Sequence, residues 1–198
     1  AQGFSALALY GELEQRERDQ VLIQFANRSC SVLVATDVAA RGLDVAQLEA
    51  VINVDVTLIV DGWHGDAAFS VGVGTVDPHD QKLMDVCEES MWRGIAAGHL
   101  GARLTDISYA IESYIDSQGK YGILQEYGGH GIGTEMHQEP HVLNFGKRGN
   151  GPELIVGMAL AIEPMITRGT HKTKVLGDDW TVVSQDKSRG AHFEHSFA

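Results

Sequence analysis

"VINVDVTLIVDGWHGD", residues 51–66, decides how the chain is read. Two apolar runs flank Asp61-Gly62, a dipeptide that accepts the positive φ angles of a two-residue turn, so the stretch predicts a β-hairpin. Asp55 and Asp66 interrupt those runs on facing strands, close to one another around the turn, where both can point to one face. The run before the turn, "AVINVDV", has a second reading. A nearly continuous apolar segment also suits the last strand of a parallel sheet. Two kinds of organisation therefore meet in this stretch.

Upstream, "FSALALYG" (4–11) alternates and ends in glycine, as a strand does. "ELEQRERDQVLIQFANRS" (12–29) places Leu13, Val21, Leu22, Phe25 and Ala26 on one helical face. "CSVLVATD" (30–37) reads as a buried strand, and "VAARGLDVAQLE" leads to "AVINVDV". Residues 4–56 thus predict a parallel β-α-β-α-β unit. Downstream, a helix is expected from N-cap Asp77 and Pro78 to Gly98, and a second from N-cap Thr105 to Gly119. Loops and short strands follow, carrying "GHGIGTEMHQEP", "MALAIEPMI", "DDWTVVSQ" and "AHFEHSFA". No linker separates the two parts, so they are expected to share a sheet in one joint fold.

The 198 residues are 43% hydrophobic and 21% charged, enough for one core or a core with a docked lobe. A formal net charge of -12 argues against nucleic acid as the working partner and suits a site that gathers carboxylates around cations. Cys30 and Cys87 form no CxxC pair and read as buried thiols of a reducing compartment. No apolar run reaches membrane-span length, and the first residues lack a basic n-region, so a cytoplasmic location is expected. All nine histidines lie after residue 63.

"LYGELEQRERDQVLIQFANRSCSVLVATDVAARGLDVAQLEAVINVD" resembles part of the second RecA-like domain of DEAD-box RNA helicases, over about residues 3–56. Gln15 and Arg18 match a Q-x-x-R element, and Thr36, Asp37, Arg41, Gly42 and Asp44 match the "ATDVAARGLD" motif, implying contacts to RNA backbone and nucleotide. ATP hydrolysis does not follow, because no GxxxxGK[ST] loop or DEAD tetrad is present. Arg41 and Asp44 read better as a turn and a helix cap than as live RNA contacts.

The second part carries acids in apolar surroundings. Glu163 interrupts "MALAIEPM", and Glu194 follows Phe193 in "AHFEHS", where an unpaired carboxylate is costly and wants a cation or a proton. His130 projects from the glycine-rich "GGHGIG". From residue 52 to residue 198 the chain resembles type I methionine aminopeptidases, most of all the bacterial "GTEMHQEPHVLN" variety. The resemblance implies that Asp55, Asp66, His130, Glu163 and Glu194 hold two divalent cations, with Mn, Fe or Co favoured over Zn for one imidazole and four carboxylates. It implies that Glu163 also shuttles a proton, that His137 donates a hydrogen bond to the substrate carbonyl, and that Trp180 lines a methionine pocket. The implied activity is removal of N-terminal methionine from peptides or nascent chains. His64, His79, His99, His171, His192 and His195 read as surface residues or as neighbours of the ligands.

The family has a further segment before "INVDVT", bearing a histidine directed at the scissile amide and much of the pocket wall, and it continues beyond "EHSFA". The expected architecture is therefore α/β: residues 52–198 as a pita-bread-like remnant, with the helicase-like unit, residues 1–56, replacing its first part. "INVDVT" fits both families, and the chain reads as a chimera joined there. Three functions compete: a metallo-aminopeptidase of weak or lost activity, a folded chimera that binds metal without catalysis, and an RNA-binding helicase remnant. A homodimer is one way to cover the sheet edge left by the missing half.

Overall fold

A reversal at Asp61 (φ 51°) and Gly62 (φ 84°) folds the quoted stretch back on itself. Both angles are positive, as a type I′ turn requires, and glycine meets that demand without a Cβ penalty. The structure, a computed structural model, describes residues 6–9, 16, 20, 32–35 and 50–198. It divides into two units, Ala1–Ala50 with Val73–Thr75, and Val51–Gly72 with Val76–Ala198.

In the first unit β1 (Ala6–Leu9) and β2 (Val32–Ala35) pair in parallel, from Ala6↔Val32 to Leu9↔Ala35. That pairing agrees with the expected parallel unit, and Arg16 and Gln20 are helical, as the stretch 12–29 predicts. The third expected strand departs from it. β3 (Ala50–Val60) is bonded to β4 (Trp63–Val73) in a six-stranded sheet, whereas β1 and β2 form a two-stranded sheet of their own. The two-residue turn explains the difference, because it forces antiparallel pairing between the segments it joins, and a local partner costs far less chain entropy than a distant one. Gln15, Arg18, Cys30, Thr36, Asp37, Arg41, Gly42 and Asp44 lie outside the described residues.

The second unit orders its larger sheet β3-β4-β13-β8-β6-β7, with β6 (Gly129–Gly131), β7 (Gln138–Val142), β8 (Leu160–Ile162) and β13 (Glu194–Phe197). A smaller sheet runs β12-β9-β5, with β5 (Gly122–Ile123), β9 (Met165–Thr167) and β12 (Gly190–His192). β10 (Thr173–Val175) and β11 (Val182–Ser184) form a separate hairpin. The chain steps directly from one of the two larger sheets to the other at Glu163-Pro164, between β8 and β9, and at Phe193, between β12 and β13. The backbone N–H of Phe193 donates to the Pro164 carbonyl at 3.4 Å, tying the crossings together.

Two helices pack against each other, and the first also packs against strands of both sheets. α1 (Pro78–Ala97) starts as expected, with the Asp77 carboxylate accepting from the His79 N–H at 2.7 Å and Pro78 inside the first turn, and it closes at Gly98. α2 (Leu104–Gln118) closes at Gly119 as expected, but its cap is Arg103, two residues before the expected Thr105. The Asp106 carboxylate reaches back to the Arg103 N–H at 2.8 Å, while the Thr105 hydroxyl is engaged with the Asn150 carbonyl. An acidic side chain at the third helical position thus displaces threonine from the cap role. Leu83, Val86, Cys87, Ile107, Ile111, Ile115, Leu160, Ile162 and Ile166 form the core between helices and strands. Each such aliphatic side chain contributes roughly 1.5–3 kcal/mol by leaving water. Gly94 lets the helices approach: a Cβ there would lie 2.7 Å from the Ile111 side chain. The edge strand β3 behaves differently, leaving Val56, Leu58, Ile59 and Val60 exposed, with Trp63 beside them. Among the described residues no helix is long and apolar enough to cross a membrane.

Candidate metal centre

The register of the larger sheet gathers its acids. On β13, Glu194 stands opposite Ala68 of β4, so Asp66, two residues away, shares its face. On the other side, His195 pairs with Ile162, which brings Glu163, the residue after β8, level with Glu194. His130 pairs with Ala161, on the same face as Glu163. Counting by twos therefore places Asp66, Glu194, Glu163 and His130 on one face of four adjoining strands. The alternate residues Leu160 and Ile162 turn to the helical core, and His195 meets Trp92 of α1 edge to face.

These four side chains are buried, with residue exposures of 7% for Asp66, 6% for His130, 8% for Glu163 and 5% for Glu194. The ligand atoms of Asp66, His130 and Glu194 lie within 4.8 Å of one another, and so do those of Glu163, His192 and Glu194. Glu194 belongs to both groups. The Thr57 hydroxyl donates to Asp66 Oδ1 at 2.9 Å, and the backbone of Asp66 is clamped to the Ser196 hydroxyl, as donor at 3.0 Å and as acceptor at 2.7 Å. Asn144 donates to the Glu163 carbonyl at 3.0 Å. His130 Nδ1 faces the Gly131 carbonyl at 2.9 Å, a contact that requires an N–H, so in the neutral ring Nε2 carries the lone pair. That Nε2 lies 3.4 Å from Glu163 and 3.9 Å from Glu194. A Cβ on Gly129 would lie 2.2 Å from the Ala161 carbonyl oxygen, so only glycine lets β6 close on β8 beside His130.

The electrostatics are unbalanced. Burial, then the nearby charges of Glu163, Asp66 and Asp55, push the Glu194 carboxyl from 4.5 up to about 8. Its Oε1 is buried without a hydrogen-bond partner. Converging carboxylates, imidazole lone pairs and an orphaned oxygen suit a hard or borderline divalent cation. Among the described residues no thiolate joins the donor set: Cys87 donates to the Pro164 and Ala191 carbonyls, and burial pushes its thiol far up.

The remaining expected site residues divide. Asp55 lies on edge strand β3, on the face of Thr57, exposed, and near enough to raise Glu194. His137 is exposed, with its ring centroid 4.4 Å from that of His130. It lines a cleft of about 740 Å³ together with Glu126, Tyr127, His130, His141 and Glu163. Trp180 stands apart from that lining, 86% exposed in the connection between β10 and β11, where Asp178 accepts from the N–H groups of Trp180 and Thr181.

His192 is the residue that sequence reasoning left among the neighbours. Its Nε2 lies 3.5 Å from Glu163 Oε2. A signal was available, since His192 and Glu194 are two residues apart in extended chain and so share a side.

The sequence signature of metallopeptidase family M24 matches residues 8–198. The match takes in most of the stretch read as helicase-like, and the comparisons support the peptidase without supporting a helicase unit or a join. A curated methionine aminopeptidase of Clostridium acetobutylicum is 47% identical over 148 residues, covering 75% of this chain and 59% of its own. Methionine aminopeptidase 1 of Mycobacterium tuberculosis is 47% identical over 152 residues, covering 74% of this chain and 57% of its own. The crystal structure of methionine aminopeptidase from Rickettsia prowazekii superposes with a TM-score of 0.71 at 42% identity, over 74% of this chain and 59% of that one. The chain thus spans a little under three fifths of the relatives it matches. With the signature running almost end to end and the buried acids on one face of the sheet, the chain belongs to metallopeptidase family M24.

Proposed function

We propose that the chain removes N-terminal methionine from peptides or nascent chains with two divalent cations, Mn(II), Fe(II) or Co(II), held by Asp55, Asp66, His130, Glu163 and Glu194. One observation carries this reading: two three-donor groups share Glu194, whose Oε1 has no other partner. When bound, such cations polarise a carbonyl and activate water. The chain's own residues do the rest. Glu163, at the sheet crossing, takes a proton from the attacking water and returns it to the departing amine. His137, at the cleft wall beside His130, donates a hydrogen bond to the oxygen where charge develops. Trp180 forms part of the methionine pocket when substrate is present. The relatives named methionine aminopeptidase support this substrate class.

The test is hydrolysis of a Met-Ala-Ser peptide by metal-stripped protein, with Mn(II) or Co(II) added back and Asp66→Ala alongside. Metal-dependent release of methionine, absent in the variant, is the expected result. A loaded protein that releases none is a metal-binding fold without turnover, and the peptidase reading falls.

A further inference from the structure

We infer that His192 is a sixth protein ligand of the centre, its Nε2 completing the second cation site with Glu163 and Glu194. This rests on the reading above that the site holds divalent cations.

Hydrogen bonding around the ring decides the orientation of its lone pair. The Asn53 amide nitrogen donates to the His192 carbonyl at 2.9 Å and lies 3.4 Å from the Ser70 hydroxyl. A carbonyl can only accept, so the amide cannot be turned around, and the Asn53 oxygen is the atom left facing His192 Nδ1 at 3.3 Å. Nδ1 must therefore carry the hydrogen, and the neutral ring presents a lone pair at Nε2. The backbone is held just as firmly. Ser70 Oγ donates to the His192 carbonyl at 2.9 Å and accepts from the His192 N–H at 3.0 Å.

What that lone pair meets is another lone pair. Nε2 lies 3.5 Å from Glu163 Oε2, too far and too poorly disposed to bond, and it is buried with no hydrogen-bond partner. Glu194, whose side chain is 3% exposed and whose Oε1 is also orphaned, supplies the third donor of this group. With Glu194 ionised, the three electron-rich side chains face one another and repel, and a cation among them turns the repulsion into coordination.

His130 gives the internal precedent. Its Nδ1 is tied to a carbonyl oxygen and its Nε2 is aimed at the same two glutamates, at 3.4 and 3.9 Å. The two histidines approach the shared Glu194 in separate donor groups, one with Asp66 and one with Glu163. The two Nε2 atoms thus converge on Glu163, at 3.4 and 3.5 Å, and the centre offers its cations two imidazoles.

The full chain, stripped and reloaded with Mn(II) or Co(II), is examined by pulsed electron paramagnetic resonance and by calorimetric titration. Two coordinated imidazole nitrogens are expected in the wild type and one in His192→Gln, with affinity at one of two sites reduced on the order of 10- to 100-fold. The nitrogen count of the wild type needs no variant to fold. A single nitrogen in the wild type overturns the inference. So does an unchanged titration of His192→Gln while Asp66→Ala loses metal, and that pair of results leaves the proposed function standing. A wild type that binds neither metal overturns both.

Discussion

Two buried acids of this molecule are treated in opposite ways. Asp80, in the first turn of α1, is 1% exposed and receives two guanidinium groups, from Arg168 at 2.7 Å and Arg189 at 2.8 Å. Glu194, 5% exposed, has other carboxylates for neighbours and an oxygen with no partner. The first arrangement is complete and serves the fold, pinning the start of a helix to the strands and loops of the smaller sheet. The second is unfinished without a positive charge from outside. Burial of an acid alone does not mark a site; burial without an answering cation in the chain does.

The contrast can be broken or sharpened by experiment. The largest effect is expected at the unfinished end: Asp66→Ala should lower Mn(II) affinity on the order of 100-fold or more, because a buried ligand is lost outright. Calorimetry showing less than about tenfold would remove Asp66 from the ligand set. At the complete end, Asp80→Ala should cost about 2 kcal/mol, below the full range for a broken buried pair because both arginines can turn to water. Urea denaturation of the metal-free protein measures it, and an unchanged midpoint would show the triad to be idle. Thr57→Val removes the hydroxyl that orients Asp66 and should weaken metal binding roughly tenfold without altering the unfolding midpoint.

The smallest effect concerns pH. The folded Glu194 carboxyl keeps its proton up to about 8, whereas its ordinary value is 4.5. The folded state therefore binds more protons than the unfolded one within that window. Its contribution is fully present below 4.5 and is lost as pH rises through about 8. Metal-free protein should accordingly lose stability across the window, and Glu194→Gln should recover about 1 kcal/mol at the alkaline end. Thermal scans in chelator that show equal slopes for both proteins would refute the assignment.

Much of this was legible in the sequence. Asp61-Gly62 fixed a hairpin because few dipeptides accept two positive φ angles, and Asp77-Pro78 fixed the start of α1 because proline fits only its first turn. Glu163 and Glu194 stood out as charges within apolar strands. Three features did not show. The apolar run of β3 reads alike for a buried parallel strand and for an edge strand, and only the turn tells them apart. Asp106 competes with Thr105 for the same helix start, and composition does not rank a reach-back carboxylate against a hydroxyl. The tautomer of His192 depends on Asn53, 139 residues away, a contact no local pattern contains.

The exposed strand β3 has a consequence in colloidal terms. Among the described residues it is hydrogen-bonded to a neighbouring strand on one side only, and with Val56, Leu58, Ile59 and Val60 exposed it is a template on which another strand can grow. A net charge of -12 holds molecules apart at low ionic strength. Salt shortens the range of that repulsion to about 8 Å at physiological strength and leaves the apolar edge untouched. Solutions of this chain should therefore stay clear in dilute buffer and turn cloudy as salt is added, the reverse of what a protein stuck together by opposite charges does.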